Sequence, residues 1–403
     1  MIVLALGVAA CRAPAGGVVE LDDLAPVVRA ASYDLRWHGA LIGDAEQRDD
    51  GARLWRRERI VVKRGAQVVS DELTLVIDRE GPRPVRVALD RGAAARGVAI
   101  AVPDGWDVRV DGEPPALLPP APPFEDVLAR AVEAGGFRGP VLLAGWGFAV
   151  AELALAPDGD AWLATLAVDG GVVTARIAFG GDGLADRIDS GDGVSATRRD
   201  DTAPAPRFEP IEVVDGNALV VTGRGATVRF PDARRELPAL PGQRPAPAPA
   251  GGWQVTLDAA APGDLPPGRP GPERLAVLER LTAEVAAAVE DDLGATAATV
   301  AAARAAARGD CTTHALQFIA RADELGVPAR VVTGLRVDGT RLVRHRWVVA
   351  WTGQRWLTID PTYGESPAAP LLIGLAVHGP RSADLAMADA VVFDRLGARA
   401  IRE

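Results

Sequence analysis

Gly309-Asp310-Cys311-Thr312-Thr313-His314-Ala315-Leu316 sets one of the chain's two cysteines where a loop runs into a helix. Leu316, Ile319, Ala320 and Asp323 carry the helical spacing on to Gly326, so Cys311 is expected in the first turn, with Asp310 as the cap or its neighbour. Unpaired backbone N–H groups and the positive end of the helix dipole favour a thiolate there. Further on, His345 opens the apolar strand Arg346–Trp351, and Asp360 closes Trp356–Ile359 before Pro361 stops it. Gly353-Gln354 reads as the turn between them, which predicts His345 and Asp360 as neighbours across a hairpin. A nucleophile, a base and a group to orient the base are thereby in reach of one another: Cys311, His345 and Asp360.

Outward from this centre, Leu275, Leu278, Leu281, Val285 and Val289 recur at helical spacing, and Ala295–Ala307 is rich in alanine. Residues 272–403 therefore read as one domain with helices first and a sheet second. Proline and glycine crowd 241–271, most densely at Pro245-Ala246-Pro247-Ala248-Pro249, which reads as a linker, although Trp253–Leu257 has the pattern of a strand. Before it, 30–240 alternates with period two and is punctuated by Asp-Gly turns. Two meanders, 30–112 and 141–237, are joined by a short helix at 123–134. One large curved sheet and two small β domains both satisfy this pattern.

Four blocks in order carry a resemblance: Gly309-Asp310-Cys311, Gly326-Val327-Pro328-Ala329-Arg330-Val331-Val332-Thr333-Gly334, His345-Arg346-Trp347, and Trp356 with Asp360-Pro361-Thr362-Tyr363-Gly364. Together they resemble the core of the transglutaminase-like superfamily, over about 272–380. The resemblance implies an α+β, papain-like fold in which a cysteine-bearing helix packs on an antiparallel sheet. It also implies that Cys311 is the nucleophile, His345 the base and Asp360 the orienter. Asp310, His314 and Trp347 are supporting candidates. His314, about one turn after Cys311, suits tuning of the thiolate or contact with substrate, and equally an ordinary polar helix face. Trp347, Trp351 and Trp356 read as core and groove wall, and His38 and His378 as surface or turn residues.

The remaining composition excludes more than it assigns. A net charge of −10 offers no basic face for nucleic acid. Two cysteines and four scattered histidines give no metal-ligand spacing, and no glycine-rich phosphate loop occurs, so neither metal nor cofactor is expected. Met1–Ala10 is an apolar segment too short to span a bilayer, and Val8-Ala9-Ala10-Cys11 resembles the lipobox of bacterial lipoproteins. The expectation is a signal at 1–10, a lipid on Cys11, a tether over 11–29 and an exported, periplasm-facing envelope protein. Two functions stand open: a cysteine-dependent enzyme acting on amide bonds of peptides or proteins, or an envelope scaffold or binding protein with an inactive core.

Overall fold

The computed structural model describes residues 29–402 except 38, 65–66, 92–95, 169–170, 191–192, 201–207, 209–217, 224, 234 and 397–399. The signal, tether and Cys11 expectations, and His38, lie outside the described residues. The chain divides at 211/212 into two compact units.

The first unit is one antiparallel sheet of fourteen strands, which decides between the alternatives left by the two meanders. Its opening strand, Arg29–Trp37, pairs with its last, Val194–Arg199, and the others run outward on either side to Ala116–Leu118 and Phe137–Leu143 at the edges. Period-two alternation turns Tyr33, Leu35 and Trp37 inward. The segment that follows Ala116–Leu118 meets the other edge strand where Leu142 N–H donates to Pro122 O at 2.8 Å and Pro123 bridges Leu142. Inside, Leu54, Leu75, Ile77, Trp106 and Phe148 fill part of the space. The helix Phe124–Ala131 buries Val127 and Ala131, and a buried ion pair fixes it: Arg79 donates to Asp126 Oδ1 at 2.5 Å and to Asp49 Oδ1 at 2.7 Å. Paired charges of this kind are costly to break, because one partner would be left buried alone.

The second unit is built on a nine-stranded sheet with Arg341–Trp351 near its centre. The helices Leu275–Ala288 and Cys311–Glu324 pack on the sheet through Leu278, Leu281, Leu316, Phe318, Val331 and Val348. A second cluster joins Trp347, Val349, Trp351 and Trp356 with Leu240 and Val332.

Here the linker expectation is corrected. Gln243–Pro247 and Trp253–Leu257 are paired strands of this sheet, so the boundary lies some thirty residues earlier than the proline-rich stretch. Gln243–Pro247 is an edge strand, the one position where missing proline N–H groups leave no ladder bond unmade. The segment leading on to the first helix is packed as well: Trp351 Nε1 donates to Arg269 O at 2.9 Å and Trp356 Nε1 to Pro266 O at 2.8 Å. A Cβ on Gly268 would fall 2.7 Å from the Trp351 ring, so this extended segment needs glycine where it crosses the indole. The alanine-rich stretch is also less helical than its composition suggests. Only Val300–Ala305 forms a helix, capped by the Thr299 side chain, which accepts from Ala302 N–H.

Candidate active site

Cys311 is the first residue of the helix Cys311–Glu324, and Asp310 is its cap. Asp310 Oδ1 accepts from Thr312 N–H at 3.0 Å and Thr313 N–H at 3.2 Å, while Oδ2 accepts from the Thr296 hydroxyl at 2.6 Å. The cap thus uses the second and third helical N–H groups and leaves that of Cys311 to the site. Gly309 is required before the cap, because a Cβ there would fall 2.3 Å from Thr313 Cβ. Cys311 is a free, partly exposed thiol.

The strand Arg341–Trp351 presents His345. On one flank it pairs throughout with Ala329–Asp338; on the other it meets Ala218–Val220 only up to Val343 and Trp356–Ile359 only from Val348. Among the described residues, 344–347 have no strand partner on that second flank. The register sets Val348 against Ile359, so Asp360 continues the ladder opposite Trp347 and reaches His345 diagonally, which refines the expected direct pairing.

His345 Nε2 lies 2.8 Å from Asp360 Oδ2, and the ring also interacts with the Cys311 side chain. Burial alone would push the imidazole down. The charge and hydrogen bond of Asp360, joined by those of Cys311, outweigh it and push His345 up to about 10. Asp360 is held below the usual carboxylate range: burial opposes this, but the His345 cation, the Arg336 charge and the Thr362 N–H favour the anion. Trp347 stacks on His345 with ring centroids 6.0 Å apart, and Tyr363 meets the same ring edge-on at 5.7 Å. Trp347 is buried against two glycines. A Cβ on Gly334 would fall 2.7 Å from its ring, and one on Gly374 3.4 Å.

The supporting candidates take different places. His314 is buried, with its ring nitrogens 3.0 and 3.1 Å from the carbonyl oxygens of Asp310 and Val289. It braces the start of the helix and is not offered to a substrate. Arg346 turns away from Asp360. Its guanidinium donates to Thr312 Oγ1 at 3.0 Å, Thr333 Oγ1 at 3.1 Å and Leu385 O at 2.9 Å, and it pairs with Asp389. It therefore ties the cysteine helix to the sheet and to the helix Ser382–Leu396. His378 ends the strand Leu372–His378 half-buried: Nε2 lies 2.8 Å from Thr333 Oγ1, and burial, aided by the Arg346 charge, pushes it down to about 4.

Arg336 is a site residue that the sequence pattern did not reveal. Its Nη1 donates to Asp360 Oδ2 at 2.7 Å, the same oxygen that faces His345, and its Nη2 donates to Glu365 Oε1 at 3.0 Å. The guanidinium carbon sits 3.7 Å from the Tyr363 ring centroid. One signal was available: Arg336 is two residues beyond Gly334 on a strand, hence on the same side, and Gly334 pairs with His345. A charge-assisted hydrogen bond contributes about 1.5–3 kcal/mol. Arg336→Met is therefore expected to lower kcat by about ten- to a hundredfold with little change in KM, and Arg336→Lys to recover part of the loss in steady-state assays.

Residues 274–361 match the model of the Transglutaminase-like superfamily. Among solved structures, a Cytophaga hutchinsonii protein described as a candidate cysteine protease is similar at 16% identity, covering 42% of this chain and 81% of that one, with a TM-score of 0.24. A search of curated proteins finds no match.

Proposed function

We propose that the chain is a cysteine-dependent enzyme that cleaves or transfers the acyl group of amide bonds in peptides or proteins through a thioester on Cys311, with water as the preferred acceptor. The observation that carries this reading is His345 held at 2.8 Å by Asp360 while its ring interacts with the Cys311 side chain at the start of the helix. Such a ring stores a proton next to a sulfur anion.

The sulfur attacks the amide carbon, and the carbonyl electron pair moves to oxygen, where the Cys311 N–H at the helix start is placed to receive it. As the intermediate collapses, the C–N bond breaks and the leaving nitrogen takes the proton of His345. Neutral His345 then removes a proton from water, the resulting hydroxide adds to the thioester carbon, and the C–S bond breaks to give a carboxylic acid and the restored thiolate. An amine in place of water would give a new amide by the same steps. The imidazole interacting with Cys311 and the averted Arg346 side chain support an active core over an inert scaffold.

Incubation with a peptide library followed by mass spectrometry tests the proposal. Cleavage or a one-dalton deamidation shift is expected in the wild type and not in Cys311→Ala. Amine incorporation alone would overturn the preference for water, and no product at all would overturn the enzyme reading.

Export and anchoring at Cys11 belong to the same proposal, supported by Val8-Ala9-Ala10-Cys11. Metabolic labelling with a fatty acid is expected to tag the wild type and not Cys11→Ala. Equal membrane retention of both would refute it.

A further inference from the structure

The concave face of the N-terminal sheet is not fully packed. A cavity of about 130 Å³ opens inside it, with Leu73, Phe124, Leu128, Leu166, Val173 and Ile177 among its apolar walls. An adjoining space of about 30 Å³ shares Arg56, Glu125, Leu128 and Ile188 with it. On the strand Arg53–Arg64 the alternation that buries Leu54 turns Arg56 and Glu58 to the same side, so two charges stand where the pattern calls for apolar residues. Arg56 and Glu58 form an ion pair with each other. Glu125 does not share it: its Oε2 is buried and has no hydrogen-bond partner.

A packing fault would be lined by hydrocarbon alone and would stay dry. Four ionisable side chains in an apolar hollow, Arg56, Glu58, Arg91 and Glu125, are a different matter, because an unpartnered polar atom costs stability that a leucine in its place would not. The hollow is also preformed. Phe124, Glu125 and Leu128 all project from the helix Phe124–Ala131, which Arg79 clamps through Asp126. Burial pushes the Glu125 carboxyl up to about 7, with the Arg56 charge opposing.

We propose that this cavity is a binding site for a small amphiphile: a hydrocarbon group about the size of a benzene ring that carries a hydroxyl or amine donor directed at Glu125. Size sets the first half of this assignment, since cavities of about 150 Å³ admit benzene. Charge sets the second. Both cations of the lining are already paired, Arg56 with Glu58 and Arg91 with Asp71, so a carboxylate ligand would meet two carboxyl groups and no unpaired counter-charge, whereas a donor completes Glu125. The site lies wholly within the first unit and does not depend on the chemistry at Cys311.

Calorimetric titration of the full-length Cys311→Ala chain with benzyl alcohol, benzylamine and benzoate tests this, the substitution removing any covalent capture of the amine. Benzyl alcohol or benzylamine is expected to bind at least about tenfold more tightly than benzoate, a difference of about 1.4 kcal/mol. Glu125→Leu is expected to abolish that preference, and Leu128→Trp, which fills the hollow, to abolish binding. Should Leu128→Trp fail to fold, Val173→Phe fills the same space from the opposite wall. Benzoate binding as tightly as the donors, a preference that survives Glu125→Leu, affinity unchanged in a folded filled variant, or no heat from any of the three would each overturn the proposal.

Discussion

His345→Ala is expected to lower peptide turnover by at least about 10⁴-fold while leaving a chain that folds and still contains its thiol. Two separable losses make up that figure. Without the imidazole, Cys311 loses the base that takes its proton. Labelling by a mild electrophile such as iodoacetamide should therefore slow. The rest of the fall comes from the missing proton donor, which the leaving nitrogen needs and an alkylating reagent does not. Measured together, labelling and turnover should respond by different factors. Equal labelling of wild type and variant would mean that His345 does not activate the sulfur.

Asp360→Asn should cost about as much in kcat, near 10⁴-fold, with little change in substrate affinity. Asparagine keeps the shape but presents either a donor or a neutral acceptor to Nε2, and the charge that holds His345 at about 10 is gone. Arg336 would then lie buried beside a neutral amide with only Glu365 to balance it. The two titrations have opposite signs. The folded value of His345 is raised, so its contribution to stability is fully present below about pH 6.5 and is lost as pH rises through about 10. That of Asp360 is depressed, so its contribution is present above about pH 4 and is lost as pH falls through its folded value. Wild-type kcat/KM should accordingly fall off near pH 10, and urea midpoints should decline at both extremes. In Asp360→Asn the alkaline decline should begin several pH units earlier; an unchanged alkaline limb would rule out the carboxylate as its cause.

The neighbourhood of His345 and Asp360, and the place of Cys311 at a helix start, were legible because each sits at a punctuation point that local chemistry enforces: Cys311 after Gly309-Asp310, Asp360 before Pro361, and His345 on the strand before the Gly353 turn. Arg336 was not, since an arginine on a strand ordinarily reaches water, and only the fold turns this one inward to Asp360. The domain boundary was misread for a related reason. Pro245 and Pro247 interrupt a ladder from within but are harmless at an edge, and sequence does not say which strand is the edge. The match to the Transglutaminase-like superfamily covers residues 274–361, where the four blocks lie up to Pro361. Nothing local distinguished Arg56, Glu58 and Glu125 from solvated charges, because their common cavity exists only once distant strands are brought together.

In the first unit the strand made first, Arg29–Trp37, is paired with the strand made last, Val194–Arg199. On a ribosome adding about 5–20 residues per second, the central seam of the sheet therefore stays open for some ten to thirty seconds after its first half has emerged. Through that interval Tyr33, Leu35 and Trp37 have a backbone partner on one side only, so the nascent segment depends on the Ala40–Asp49 hairpin partner, or on a chaperone, to avoid sticking to other chains. Once the seam is sewn, the two ends of the unit emerge side by side, the arrangement that lets a domain be moved between proteins without remaking its interior.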